Sequence, residues 1–272
     1  MSNIRIIKPG KGWLSIDLKE LWFFRELLFL FVWRDIKVRY KQTVFGAAWA
    51  VLQPFLTMVV FTIFFGRIAG IDSEGLPYPI FSYSGVLLWT YFSASVGNSG
   101  NSLLGNSHII TKTYFPRLYI PISSCMAGIV DYLIAFVILI FMMFYYGIFP
   151  NYNLIFLPLV VFLSFLCASG FGLWLSALNV KYRDIRYILP FFIQLMLFAT
   201  PVIYPPTIFP KYAWLLDLNP MSGIIDAHRA CILGYKPIDW TTLSISTVIT
   251  IVIFVSGLFY FRKTENFFAD II

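Results

Sequence analysis

An all-α polytopic membrane protein is the fold the sequence predicts, and three observations predict it. Hydrophobic residues make up 59% of the 272 positions and charged residues only 12%, against roughly 45–50% and about 25% in soluble domains. The apolar residues gather into long runs nearly free of charge, each close to the roughly 20 residues a helix needs to cross about 30 Å of hydrocarbon. The 20 basic and 13 acidic side chains are too few to cover a soluble surface. A soluble enzyme, a disordered chain and a secreted disulfide scaffold are thereby excluded.

Six segments, 44–66, 80–104, 120–148, 154–178, 188–204 and 242–261, predict six transmembrane helices within a membrane domain of residues 44–261. The second is weak at its end, where Gly97-Asn98-Ser99-Gly100-Asn101-Ser102 could leave the membrane, and the fifth is short and stops against Pro205-Pro206. Gln53-Pro54 interrupts the first near its middle, where proline removes a backbone donor and permits a kink. Ser164, Ala168, Gly172 and Ser176 form a small-residue ladder at spacing four, which lets a neighbouring helix come close.

Sidedness follows from Lys and Arg. With six spans both termini share one side; that side holds 16 of the 20 basic residues, and the other holds only Arg67, Lys211, Arg229 and Lys236. Both termini are therefore expected in the cytoplasm, with 262–272 a cytoplasmic tail. The first 20 residues are polar and basic and lack a signal peptide's short apolar core, so the spans themselves are expected to drive insertion. Residues 1–43 form a cytoplasmic segment in which Lys19, Glu26, Arg34, Lys37 and Lys41 fall near one helical face. That pattern fits an amphipathic helix lying in the inner interface with its basic groups toward anionic headgroups. The rival, a short seventh span, would bury Arg25 and Glu26 at roughly 2.5–3.5 kcal/mol each.

Two short cytoplasmic loops, 105–116 and 179–187, mix charge with aromatic and aliphatic groups. They suit either docking onto a partner protein, where aromatics and Arg are enriched, or contact with lipid headgroups. The long outer loop 205–240 is far from featureless: Asn219-Pro220 can start a helix and Gly234 can stop one. It reads as a re-entrant helical pair closing the outer exit, against the alternative of a plain surface loop.

Little in the chain points to catalysis. Asp131 is the one ionisable residue well inside a span; alone it argues for a structural hydrogen bond rather than a proton relay. Cys125 and Cys167 sit in apolar segments as small packing residues, Cys231 lies far from both, and metal-ligand spacing is absent. There is no G-x-x-x-x-G-K-[ST] and no nucleophile–base constellation. Uphill transport would need an ion gradient or another polypeptide for its energy. The net charge of +7 does not imply nucleic acid, because the basic residues follow the membrane topology. Aromatics reach 19%, and Trp49, Phe61, Trp89, Phe92, Phe192 and Phe198 lie within spans, together with the polar Gln53. Such rings can stack on the apolar faces of sugars, though each taken singly is ordinarily packing.

Several stretches resemble the permease subunit of polysaccharide-exporting ABC transporters of the ABC-2 type. They are Arg34-Asp35-Ile36-Lys37-Val38-Arg39-Tyr40-Lys41-Gln42-Thr43 followed by Gly46, Trp49 and Val51-Leu52-Gln53-Pro54; Ile110-Thr111-Lys112-Thr113-Tyr114-Phe115-Pro116-Arg117 leading to Pro121; Asn179-Val180-Lys181-Tyr182-Arg183-Asp184-Ile185; Thr200-Pro201-Val202-Ile203-Tyr204-Pro205; and Asn219-Pro220-Met221. The resemblance implies six spans, an interface helix, cytoplasmic coupling helices and re-entrant outer helices. It implies two permeases around a channel in the bacterial inner membrane, driven by two ATPase subunits that carry the ATP and Mg. It implies export of O-antigen, capsule or teichoic-acid-like polysaccharide, lipid-linked or growing. By resemblance Lys112, Tyr114, Arg117, Tyr182, Arg183, Asp184 and Arg186 belong to coupling segments, and residues of 16–40 to the other wall of the docking surface. An ABC-2 exporter of lipid or drug, a membrane-embedded glycosyl- or acyltransferase and an ion-coupled transporter are the rival functions.

Overall fold

A computed structural model describes residues 18–41, 46–182, 184–208, 211, 213–265 and 268. Among these every regular element is helical. Two helices, α1 (Leu18–Phe23) and α2 (Arg25–Lys41), precede α3 (Ala48–Phe61), which continues as a π-helical stretch over Thr62–Ile68. Then come α4 (Tyr78–Gly105), the short α5 (Ser107–Lys112), α6 (Tyr119–Tyr146), α7 (Leu157–Lys181) after a tight turn at Tyr152–Phe156, and α8 (Ile185–Ala199). Two helices, α9 (Ala213–Asp217) and α10 (Pro220–Leu233), lead to the last, α11 (Trp240–Glu265).

Four helical stretches are long and apolar enough to cross a membrane: Ala48–Ile68, Tyr119–Tyr146, Tyr152–Lys181 and Trp240–Glu265. They coincide with the first, third, fourth and sixth expected spans. The other two depart for different reasons. The second lies within α4, whose 28 residues give ample length, but Ser82, Ser84, Ser95, Ser99 and Ser102 dilute its apolar character and are all buried. Helix α4 is the centre of the bundle, packed against α3, α6, α7 and α10, so protein rather than lipid surrounds it. The fifth lies in α8, which at 15 residues rises about 22 Å, short of the hydrocarbon thickness.

The glycine- and asparagine-rich end of α4 stays helical through Gly105. Its amides are satisfied inside the bundle: Asn101 Nδ2 donates to the Gly97 carbonyl at 2.9 Å, and Asn179 of α7 donates to the Gly100 carbonyl and to Asn101 Oδ1, each at 3.1 Å. Helix ends follow local chemistry. Gly147 and Gly234 close α6 and α10 at φ 66° and 61°, a conformation that costs glycine little. Asn219 caps α10, its side chain accepting from the Met221 N–H at 3.1 Å, with Pro220 in the first turn where no donor is needed.

Asp239 caps α11 in the same manner, accepting from the Thr241 and Thr242 N–H groups at 3.0 and 3.3 Å and from the Thr242 hydroxyl at 2.8 Å. Burial alone would raise its pKa, but those bonds, with Lys236 nearby, outweigh it and hold the carboxyl below its ordinary 3.8. Asp239→Ala is expected to cost about 0.5–2 kcal/mol, read as a lower Tm. Because the folded pKa is depressed, this contribution is whole above the usual carboxylate range and is lost as pH falls through the depressed value; the wild type and the variant should converge in acid.

Two apolar clusters hold the fold. The larger runs through α4, α6, α7 and α10. The smaller lies at the basic end of the bundle, where Phe31 of α2, Leu103, Ile110, Phe115, Leu118, Leu173, Ala177 and Phe261 meet. Cys125, Cys167 and Cys231 are free and buried.

Candidate coupling surface and membrane cavities

At the basic end the two loops have opposite characters. The loop between α5 and α6 is tied down. Phe115 and Leu118 are buried in the small cluster, the Tyr114 hydroxyl donates to Glu20 Oε1 of α1 at 3.0 Å, the Tyr119 hydroxyl donates to the Leu21 carbonyl, and the Arg117 guanidinium donates to the Glu265 carbonyl at the end of α11. Burial, and then the Glu20 carboxylate, hold the Tyr114 phenol above its ordinary pKa. Lys112, at the end of α5, is exposed. The loop between α7 and α8 is instead presented outward: Tyr182 and Tyr187 are 52% and 72% exposed, and Asp184 and Arg186 are exposed beside them. The Arg186 guanidinium lies 5.4 Å from the Tyr187 ring. Arg183 lies outside the described residues. Of the seven coupling candidates, then, Tyr114 and Arg117 join three chain segments, and Lys112, Tyr114, Tyr182, Asp184 and Arg186 are exposed.

Four of the six channel candidates divide between two cavities. One, of about 610 Å³, lies among α2, α3, α4 and α6 and is lined by Trp49, Gln53, Tyr91, Asp131, Arg39 and Tyr40 among others. The Asp131 carboxylate takes bonds from the Arg39 guanidinium and the Tyr40 hydroxyl of α2. The basic partner comes from the helix before the first apolar stretch, not from a neighbouring span. Arg34, on the face expected to meet headgroups, also turns inward, to Asp35 at 2.8 Å and Asn106 Oδ1 at 2.8 Å.

The second cavity, of about 560 Å³, is walled by Trp89, Phe92, Phe171, Phe192 and Met196. Trp89 and Phe92 are buried with ring centroids 5.5 Å apart, and Phe171 meets Phe92 edge-on at 6.0 Å. Leu215 and Leu216 of α9 and Asn219, Pro220 and Met221 at the start of α10 also line it and cap the end away from the basic loops. Phe61 and Phe198 line neither cavity: Phe61 packs edge-on against Phe65 at 5.6 Å, and Phe198 is 54% exposed.

Sequence reasoning missed the polar architecture of α10, all 14 residues of which are buried. Arg229, counted above as a loop cation, is fully buried. Its guanidinium donates to the carbonyls of Phe81, Pro201 and Val202 and lies 3.9 Å from the Phe81 ring centroid. His228 shares a 2.9 Å hydrogen bond with the Tyr132 hydroxyl of α6. The signal was available as Asp226, His228 and Arg229 inside an otherwise apolar run. Near the same end Lys236 bridges Asp226 at 2.7 Å and Glu74 at 3.3 Å, and the Thr207 hydroxyl donates to the other Glu74 oxygen at 3.3 Å.

A bundle of apolar helices with ring-walled cavities and a projecting polar loop at one end is the body of a membrane transport component, and the chain belongs to the ABC-2 type transporter family, whose model matches residues 26–233. It is 29% identical over 262 residues to an O-antigen export system permease protein RfbA of Klebsiella pneumoniae, covering 95% of this chain and 100% of that one. The protein of the same name from Myxococcus xanthus is 28% identical over 257 residues, covering 93% and 98% of the two chains. The polysialic acid transport protein KpsM of Escherichia coli is 22% identical over 243 residues, covering 89% and 93%.

Proposed function

We propose that this chain is the permease subunit of an ATP-driven exporter that carries polysaccharide, lipid-linked and of the O-antigen or capsule kind, across the bacterial inner membrane. The observation that carries this reading is similarity to O-antigen export permeases along 95% of the chain. On this reading two copies enclose the path, α4 and α8 complete six spans, both termini face the cytoplasm, and separate ATPase subunits hold the ATP and Mg.

The geometry supplies a route for force. The exposed Tyr182, Asp184, Arg186 and Tyr187 lie at the start of α8, which carries Phe192 and Met196 along the wall of the second cavity. Past the far end of α8, the Thr200 hydroxyl accepts from Asn219 Nδ2 at 2.8 Å, which joins the helix to the α9–α10 cap. A partner that binds one arrangement of the 182–187 segment more tightly than another therefore biases wall and cap together, by no more than that difference in affinity. Aromatic faces along the wall offer a sugar chain weak, repeated contacts that let it move on.

Asp184→Lys, in the complex with the ATPase, is expected to lower export into inverted membrane vesicles at least tenfold while ATP hydrolysis continues. Unchanged export would remove the docking role of this loop. Uphill export by the purified permease alone would overturn the assignment of a separate motor.

A further inference from the structure

The aromatic cavity is lined at the end away from the basic loops by α9 and the start of α10, so cargo leaving by that end has to pass them. What restrains this cap is unevenly distributed. Arg229 anchors the middle of α10 through buried carbonyl contacts. The two flanks are held differently: Thr207, before α9, and Lys236, after α10, both converge on a single carboxylate, Glu74, in the connection between α3 and α4.

Each Glu74 oxygen takes one flank. Oε1 accepts from the Thr207 hydroxyl at 3.3 Å, and Oε2 meets Lys236 Nζ at 3.3 Å. Lys236 also reaches Asp226 of α10 at 2.7 Å, so letting go of Glu74 leaves the lysine with a partner on the cap itself. Glu74 sits at φ 55°, in the left-handed region, a conformation that non-glycine side chains adopt only where their surroundings hold it. The contacts are partly exposed, with Lys236 at 27% and Glu74 at 17%. The Glu74–Lys236 and Glu74–Thr207 contacts are both 3.3 Å long, which suits a fastening that opens and shuts in each cycle rather than a permanent one.

We propose that Glu74 is the catch of a movable cap: its release of Thr207 and Lys236 frees both flanks of α9–α10 and opens the aromatic cavity, and its recapture closes it. This rests on the reading of the second cavity as part of the export path. The cap remains hinged at Arg229, and Lys236 stays paired to Asp226 throughout.

Two measurements on the permease–ATPase complex test the proposal. In the first, a reporter cysteine at Met196, on the cavity wall, is labelled with a membrane-impermeant thiol reagent added from the capped side. Its background is the same complex without the reporter. Glu74→Gln is expected to raise the labelling rate at least threefold over the protein with Glu74 intact, and Lys236→Met to raise it likewise. Equal rates in proteins that match the wild type in Tm would overturn the proposal. In the second, Glu74→Cys with Thr207→Cys is bridged by a short bifunctional thiol reagent. Export is expected to fall at least tenfold on bridging and return on reduction while ATP hydrolysis persists; export unaltered by bridging would overturn the need for release. The labelling measurement uses no substrate, so it reads the catch even if the cargo is not a polysaccharide, whereas a wrong cargo would be exposed by export alone.

Discussion

Replacing Arg229 with methionine is expected to destabilise the protein by about 3 kcal/mol or more. Methionine is close to arginine in volume and apolar, though shorter, so the loss comes chiefly from removing the polar groups. The guanidinium now satisfies three carbonyls, those of Phe81, Pro201 and Val202. Without it those acceptors stay buried, each losing a charge-assisted bond and costing about 1–3 kcal/mol when left unmade. The contact with the Phe81 ring at 3.9 Å is lost as well. Arg229→Lys keeps the charge, but an ammonium cannot span three carbonyls with the planar fork of a guanidinium, so an intermediate loss is expected. The measurement is Tm in detergent together with the amount of protein recovered from membranes. A methionine variant as stable as the wild type would mean that the carbonyls find other donors.

Substituting Gly170 is expected to have the next largest effect, because it strikes backbone against backbone. A Cβ at Gly170 would lie 2.8 Å from the Phe254 Cα and 2.9 Å from the Phe254 N of α11, and a Cβ at Gly257 would lie 2.6 Å from the Gly170 carbonyl oxygen. No rotamer change relieves either clash, so α7 and α11 must separate. The seam they share also holds the Trp174–Ser256 hydrogen bond at 3.1 Å and the Trp174–Tyr260 stack at 4.4 Å, both of which depend on that approach. Gly170→Ala is expected to cost about 1–3 kcal/mol, as overpacking does, and Gly170→Leu to leave little folded protein. Gly105→Ala is the matched control: a Cβ there meets nothing within 4 Å, so its effect should stay within about 0.5 kcal/mol. Thermal unfolding of the three variants checks the order, and a Gly170→Ala protein as stable as Gly105→Ala would refute the close crossing.

The sequence spoke clearly where lipid is the solvent and faintly where protein is. Stretches that face hydrocarbon must be apolar along their length, so four spans were legible from composition. Helix α4 was harder because burial within the bundle lets serines replace apolar groups at no exposure to lipid. The ladder of Ser164, Ala168, Gly172 and Ser176 did identify a close face, and all four residues are buried. A Cβ at Gly172 would meet Ser99 Oγ of α4 at 2.2 Å. Gly170 lies on another face of the same helix, against α11, and nothing in a spacing of four marks it. The aromatic candidates could be placed on spans but not sorted between cavities, since sorting requires knowing which helices adjoin. Arg229 was counted as a loop cation because the carbonyls it satisfies, on Phe81, Pro201 and Val202, are far from it in sequence. The partners of Asp131 could not be named in advance because they lie about ninety positions away on a segment whose charge looked like an interface.

The bond from α2 to Asp131 also has a consequence in time. Arg39 and Tyr40 emerge from the ribosome some ninety residues before the carboxylate that receives them, an interval on the order of 5–20 s at synthesis rates of roughly 5–20 residues per second. Through that interval the amino-terminal helices wait undocked while α3, α4 and the first half of α6 are made. Helix α2 therefore locks only once α6, the wall it leans on, has been built, though it precedes that wall in the chain.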